Sequence, residues 1–222
     1  MEELQKIKII YEDNHILVVF KPANMPVCED SSRDKDLLSE LKEFIKVRDK
    51  KPGNVYLGLV HRLDRPVSGI MVFAKTSKAA SRLGKQVMDH SFKKVYAAVV
   101  YGKPSLEGKF LDYLKKDEKK NISYVVDKSL GKEARLTYKR LDYKEKMSLV
   151  EIYLETGRSH QIRVQFSSRG YPLVGDVKYN KEQKPGIDIA LVAKKITFQH
   201  PTTKEIMSFE VELPKRYPFD LF

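Results

Sequence analysis

Three ionisable side chains lie close together in one short segment of the chain, which reads HRLDRPVSG at 61–69. His61, Arg62 and Asp64 follow one apolar run and precede another, so we expect them in a loop between two strands. An aspartate in such a loop can act as a nucleophile or as a base. Arg62 or Arg65 could hold a phosphate, because the planar guanidinium matches phosphate oxygens. The alternative is an aspartate that only caps the turn before the proline and glycine that follow.

A second segment with chemical potential reads GRSHQIR at 157–163 and opens a predicted helix after a strand. The free N–H groups at such a helix start favour anions. Arg158 lies before the predicted helix, and Arg163 lies inside it, where it could reach a carboxylate brought in from elsewhere in the chain. An arginine beside an aspartate keeps that aspartate ionised. The alternative is a solvated basic face.

Tyr96 is the third candidate, in the predicted strand KVYAAVVY at 94–101. Side chains alternate along a strand, so Tyr96 and Val95 face opposite sides. A tyrosine that faces a basic cleft can stack on a nucleobase. The alternative is an ordinary core or surface tyrosine.

Charge and cysteine content limit the class of protein. Among 222 residues, Lys and Arg number 42 and Asp and Glu number 30, which gives a net charge of +12. This charge favours a polyanionic partner, and the alternative is a basic protein without such a partner. The single cysteine, Cys28, excludes an internal disulfide framework and a cysteine-rich zinc site, and it indicates a reducing compartment, for which we expect the cytoplasm. No stretch approaches the roughly 18 apolar residues of a membrane span, and Met1–Lys8 lacks the features of a signal peptide.

The apolar periodicity predicts a strand-rich chain in which several strands are joined by short turns. This pattern favours a mixed α+β domain over a doubly wound one. Lys115–Lys120 is predicted to be an exposed turn, and Ser77 is the predicted N-cap of a helix that ends near His90. The remaining predictions are strands at 7–11, 16–20, 70–74, 94–101, 134–141 and 149–154, helices from 37 and from 159 to 168, and a closing strand pair at 189–198 and 205–213.

Six segments in order along the chain resemble the RluA-type RNA pseudouridine synthases. They begin with Lys21-Pro22-Ala23 and continue with HRLDRPVSG at 61–69, KVYAAVVYG at 94–102, TGRSHQIRV at 156–164, YPLVGDVKY at 171–179 and FQHP at 198–201. The resemblance covers residues 7 to 214. It implies an α+β pseudouridine synthase fold, with a long mixed and mostly antiparallel sheet, flanking helices and a central catalytic cleft. We expect residues 1–222 to be a single catalytic domain without an N-terminal accessory RNA-binding module.

The resemblance also implies an activity, the isomerisation of a uridine in ribosomal or transfer RNA to pseudouridine without a metal or an organic cofactor. Asp64 would be the essential carboxylate, acting either on the ribose or as a nucleophile, and Arg163 would keep Asp64 ionised. Tyr96 would stack on the base. Arg62 would enter the RNA and support the flipped nucleotide. We expect the partner to be an RNA stem-loop, and the protein to be a monomer that binds no membrane.

Four positions depart from the family pattern. Asn24 stands where glycine is common, Cys28 and Gln165 where histidine is common, and Val67 where threonine is usual. None of them is a carboxylate, arginine or tyrosine position of the resemblance, so the departures bear on the choice of substrate.

Two other functions compete with the enzyme interpretation. An RNA-binding protein that had lost catalysis would be expected to lack the carboxylate, whereas Asp64 stands in its full loop. A nuclease or N-glycosidase would need a second acid or metal ligands, and no motif supplies them.

Overall fold

The computed structural model describes residues 7–30 and 32–222, and these fall into two units. Unit 1 comprises the chain up to Phe92 together with Lys195–Val211, and unit 2 comprises Lys93–Lys194 together with Glu212–Phe222. The prediction that Met1–Lys8 lacks the features of a signal peptide falls mostly outside the described residues, which include only Ile7 and Lys8 of that stretch. In the described part of the chain, no helix has the length and apolar character needed to cross a membrane.

Unit 1 is built on an antiparallel sheet with two helices. Strand β2 lies between β1 and β4, and the short β3 also pairs with β4. The second half of β10, from Lys195, pairs with β11. The bounds are β1 Lys8–Glu12, β2 Ile16–Lys21, α1 Leu37–Arg48, β3 Gly58–Leu59, β4 Ser68–Ala74, α2 Ser77–Met88, β10 Leu191–Gln199 and β11 Ile206–Glu210.

The core of unit 1 forms where α2 covers the sheet. Ala79 and Leu83 of α2 pack on the apolar side chains of β2 and β4, and every residue of β4 is buried. The N-cap of α2 is Thr76, whose side chain accepts a hydrogen bond from the Ala79 N–H at 3.1 Å. The predicted N-cap, Ser77, was wrong by one residue, because the threonine before it already has the extended backbone and the hydroxyl that a cap needs.

Unit 2 contains a five-stranded antiparallel sheet in the order β5-β9-β8-β6-β7. One helix, α3, follows β9, and a short 3₁₀ turn at Phe219–Leu221 lies near the C-terminus. Among the described residues, the two units together hold three α-helices, which confirms the α+β class. The bounds are β5 Lys93–Tyr101, β6 Glu107–Asp117, β7 Ile122–Val126, β8 Lys132–Lys144, β9 Met147–Leu154 and α3 Gln161–Ser167.

Two local predictions need correction in unit 2. Lys115–Lys120 was predicted to be an exposed turn, but Lys115 continues β6, which pairs with β7 as far as Asp117, and only the residues after it turn. The strand is hard to detect because just two of its side chains, Phe110 and Leu114, are buried. Helix α3 starts at Gln161 instead of 159, because His160 before it has a left-handed backbone with φ of 53°.

Candidate active site

Asp64 lies in the loop between β3 and β4 of unit 1, as the sequence predicted. The main-chain oxygen of Asp64 accepts a hydrogen bond from the Val67 N–H at 3.0 Å, which closes a turn. Leu63 and Val67 on either side are buried, whereas Asp64 itself is half-buried. The turn is therefore closed by the backbone of Asp64 and Val67.

Lys21, the last residue of β2, braces this loop from within unit 1. Its side chain is fully buried, and its ammonium donates hydrogen bonds to the main-chain oxygens of Pro22 at 2.9 Å, Met25 at 2.8 Å and Arg65 at 3.0 Å. Burial lowers the pKa of Lys21 to about 7, and the nearby Asp64 carboxylate opposes that shift. Lys21 is a residue of the site that the sequence did not predict. The available signal was a lysine at the end of the otherwise apolar run ILVVFK.

The two arginines beside Asp64 differ in what they contact. Arg65 donates to the Asn24 main-chain oxygen at 3.2 Å and to the Ser32 hydroxyl at 2.9 Å, and it forms an ion pair with Asp34. Arg62 is exposed, and within residues 7–30 and 32–222 its side chain makes no hydrogen bond or ion pair. Of the two candidates for a phosphate ligand, Arg65 is used as a brace between loops, and Arg62 remains accessible.

His61 holds the start of the loop against β4. Its Nε2 accepts a hydrogen bond from the Val72 main-chain N–H at 3.2 Å, and its ring lies 5.3 Å from the ring of Phe92. An Nε2 that accepts from a main-chain N–H carries no proton of its own. We therefore assign His61 a structural contact with β4.

Tyr96 lies on β5 of unit 2, opposite Ile152 of β9. Its side chain is 6% exposed, whereas Val95, on the other face of the strand, is half-buried. The four residues after Tyr96 are buried as well, so burial along β5 does not alternate. Stacking of Tyr96 on a base stays a prediction.

Arg163 lies in α3 of unit 2 and is 4% exposed, so the alternative of a solvated basic face is wrong for this residue. Its Nε and one terminal nitrogen donate to the two carboxylate oxygens of Asp176 at 2.8 and 2.7 Å. The guanidinium also lies over the ring of Tyr179, 5.1 Å from the centroid. Asp176 was not predicted as a partner of Arg163, although it stands in YPLVGDVKY, which the resemblance includes. Pairing of Arg163 with Asp64 stays a prediction.

The loop that leads into α3 is fixed by side chains of the TGRSHQIRV segment. The Thr156 hydroxyl donates to the Gln161 side-chain oxygen at 2.8 Å and accepts from the Arg135 N–H at 2.8 Å. The same Gln161 oxygen accepts from the Arg158 N–H at 3.0 Å. These bonds hold the polar segment in one conformation, which orients the residues of α3 that follow it.

The structure shows the surroundings of the four residues that depart from the family pattern. Asn24 has φ of 65°, a left-handed backbone that glycine favours and asparagine tolerates. Gln165 is fully buried and donates to the Asp112 carboxylate at 2.7 Å, Val67 is buried, and Cys28 is half-buried. Among the described residues, no three His, Cys, Asp or Glu side chains come together as a metal site requires.

Comparison with known proteins gives consistent matches. A family model described as RNA pseudouridylate synthase matches residues 15–168. The chain is 35% identical over 221 residues to ribosomal large subunit pseudouridine synthase D of Zymomonas mobilis, covering 94% of this chain and 70% of that protein. It is 34% identical to the enzyme of the same name from Neisseria meningitidis serogroup A, covering 96% of this chain but only 59% of that protein.

A further relative is the uncharacterized RNA pseudouridine synthase YlyB of Bacillus subtilis, 34% identical over 97% of this chain and 72% of that protein. Among solved structures, human RNA pseudouridylate synthase domain containing 4 matches with a TM-score of 0.79 at 22% identity, covering 96% of this chain and 91% of that chain. This structural likeness supports the expected fold.

Proposed function

The chain belongs to the RNA pseudouridylate synthase family, whose members are isomerases, and on this premise we propose that it converts uridine to pseudouridine in ribosomal RNA. We favour ribosomal over transfer RNA because the relatives from Zymomonas and Neisseria are named for the large ribosomal subunit. The observation that carries the proposal is the position of Asp64, half-buried in a loop that buried Leu63, Val67 and Lys21 hold from several sides.

In the proposed reaction the bond between the ribose and N1 of uracil breaks, the base rotates, and C5 of the base bonds to the ribose. The proton on C5 leaves, and N1 gains one, so atoms and electrons balance without a cofactor. Asp64 is the essential carboxylate, either as a nucleophile or as a base acting on the ribose. An anchored loop lowers the cost of placing this carboxylate at the reacting carbon.

Three further residues have proposed roles in substrate handling. Arg62, exposed and without an ion-pair partner in the described part of unit 1, supports a nucleotide that has left its stack. Tyr96 stacks on the detached base and keeps it from escaping. Arg163 keeps Asp64 ionised, and the carboxylate of Asp176 fixes the plane of its guanidinium.

The proposed partner is an RNA stem-loop, because a loop uridine is already partly unstacked and costs less to flip. We further propose that the protein acts as a monomer in the cytoplasm, where a ribosomal RNA substrate would be found.

The test is to incubate the wild-type protein and Asp64→Asn with ribosomal RNA and to count pseudouridines by chemical labelling and reverse-transcription stops. Loss of a positioned acid or base costs about 10²–10⁴-fold in rate, and loss of a nucleophile costs more, so the variant should form no detectable product in the time that the wild type needs for completion. Glu43→Gln, which removes an exposed carboxylate from α1 of unit 1, is the matched control and should react like the wild type.

Three results would contradict the proposal. Turnover by Asp64→Asn comparable to wild type would remove the carboxylate from the mechanism. Free uracil or a cut strand with the wild type would indicate a hydrolase, and RNA binding without any product would indicate a binding protein.

A further inference from the structure

A groove of about 670 Å³ lies within unit 2, and none of the described residues that line it was given a catalytic role above. It runs between the β6–β7 hairpin, the start of β8 and the loop before α3. Its walls include Lys115 and Lys116 of β6, Gly131 and Lys132 at the start of β8, and Gly157 and Arg158 of the loop. Four of these six residues are basic.

The positive charge of this groove is largely uncompensated. Among the described residues that line it, the one acidic side chain is Glu118, and its carboxylate is bound to the Lys116 ammonium at 2.5 Å. Lys132 is exposed, and the described part of the chain offers it neither an ion pair nor a side-chain hydrogen bond. The groove therefore holds more cations than its own carboxylate can neutralise.

Strand register places two of these cations on one face of the sheet. Lys132 of β8 pairs with Leu114 of β6, so its side chain lies on the same face as that of Lys116, two residues further along β6, whereas the side chain of Lys115 points to the other face. Arg158 is held at the other wall, since its Nε donates to the Glu133 main-chain oxygen at 2.8 Å. Because one nitrogen of the guanidinium is anchored in this way, its orientation is set before any ligand binds.

A fifth cation lies directly behind this wall. A Cβ atom on Gly157 would lie 3.3 Å from the Lys94 ammonium, so the glycine leaves room for that ammonium against the backbone. Burial lowers the pKa of Lys94. An anion in the groove would stabilise the charged form of this lysine.

We propose that this groove binds the phosphodiester backbone of the RNA substrate, at nucleotides other than the uridine that reacts. The inference rests on the proposed function, which supplies RNA as the partner. Phosphates bound by lysine and arginine release condensed counterions, and this release provides affinity without sequence preference. The groove is then the part of unit 2 that grips RNA, whereas the catalytic residues act on a single nucleotide.

The test compares two triple variants that remove the same net charge. The groove variant is Lys116→Ala, Lys132→Ala, Arg158→Ala, and the control variant changes three lysines that are exposed elsewhere, Lys46→Ala, Lys78→Ala, Lys139→Ala. Each phosphate contact contributes a slope of about −0.7 to log affinity against log salt for a single strand. We expect the groove variant alone to bind RNA more weakly, with a slope shallower by about 2, and to react normally once RNA is saturating.

A second variant guards against misfolding, because Arg158 also braces its loop. Lys116→Ala, Lys132→Ala keeps Arg158, breaks of the described side-chain bonds only that between Lys116 and Glu118, and should flatten the slope by about 1.4. Equal losses in the groove and control variants would show that net charge, and not the groove, binds RNA, and would overturn the inference. A slower reaction at saturating RNA with unchanged affinity would overturn it as well.

Neutral methylphosphonates in a synthetic RNA stem-loop locate the contact. At phosphates held by the groove, the substitution should weaken binding by the wild type and leave binding by the groove variant unchanged. If no position behaves in this way, the inference is wrong. These measurements report binding, so a wild-type protein that binds RNA in the groove but forms no pseudouridine would refute the proposed function alone.

Discussion

Lys21→Met tests whether the buried amine beneath the Asp64 loop titrates near neutral pH. Burial lowers the pKa of Lys21 from 10.5 to about 7 in the folded protein, while in the unfolded chain it returns to 10.5. Between these two values the unfolded chain binds more protons than the folded protein does, so the free energy of unfolding rises with pH. The slope is about 1.4 kcal/mol per pH unit, and the whole interval corresponds to about 5 kcal/mol.

Methionine has a similar length and cannot titrate, so the variant lacks this contribution. We expect the free energy of unfolding of wild type minus that of Lys21→Met to be constant below pH 7 and to rise by about 1.4 kcal/mol per pH unit from pH 7 to pH 9. The absolute difference also includes the main-chain oxygens of Pro22, Met25 and Arg65, which lose a donor at every pH. Only the change of this difference with pH shows where Lys21 gains or loses its proton.

Urea unfolding at pH 6, 7, 8 and 9 measures this difference, followed by far-ultraviolet circular dichroism because the chain has no tryptophan. The control is Lys78→Met on α2, an exposed lysine for which the difference should not vary over the same range. A flat difference for Lys21→Met would refute the reasoning. It would mean that three main-chain oxygens, which match the three N–H donors of an ammonium, keep the proton in place.

Asp64 provides an independent test of the same linkage. Its carboxylate raises the pKa of Lys21, in opposition to burial. In an Asp64→Asn background the pKa of Lys21 should therefore be lower still, and the rise in the difference should begin at a lower pH. A rise that begins at the same pH would show that the two groups are not coupled.

Further predictions concern the other site residues. Arg163→Ala should lower the free energy of unfolding in urea by about 3–5 kcal/mol, because Asp176, 1% exposed, would lose its counter-charge. Arg163→Lys should rescue turnover poorly, and full turnover by this variant would argue against a role for the bidentate pair. If the hydroxyl helps to remove the C5 proton, Tyr96→Phe should bind RNA normally but react slowly in single-turnover assays. Tyr96→Ala should also lose about 1–3 kcal/mol of stacking free energy. Near-normal rates for both variants would remove Tyr96 from the site. Arg62→Ala should slow the bound-state reaction more than it weakens RNA affinity, and the reverse result would make Arg62 a phosphate anchor.

The sequence predicted the elements that carry local signals. The loop of Asp64 was placed correctly because apolar runs flank it, and β4 is an almost uninterrupted apolar strand. The β6–β7 hairpin was missed because neither strand alternates clearly: β6 has only two buried side chains among its polar residues, and in β7 the exposed residues include Tyr124 and Val125. Patterns of period two are visible only where one face of a strand is buried.

The braces of the site could not be predicted in this way. Lys21 reaches the main chain of Arg65, 44 residues further along, and Arg163 binds Asp176, 13 residues away. Such contacts depend on how loops return to the sheet, and neither spacing nor composition encodes that return. The resemblance marked both segments as belonging to the family, but it did not say which side chains hold each other.

Gln165 attaches α3 to β6 through a donor that keeps its proton when the pH changes. Its amide donates to Asp112 of β6 at 2.7 Å, and Arg169 donates to the same carboxylate at 2.9 Å. Histidine, which is common at this position in the family, would gain and lose a proton in the range of about pH 5 to 8, and its bond to Asp112 would change strength with it. An amide keeps the same donor throughout that range. The helix that carries Arg163 is thus attached to β6 through a side-chain donor, Gln165, that does not titrate between about pH 5 and 8.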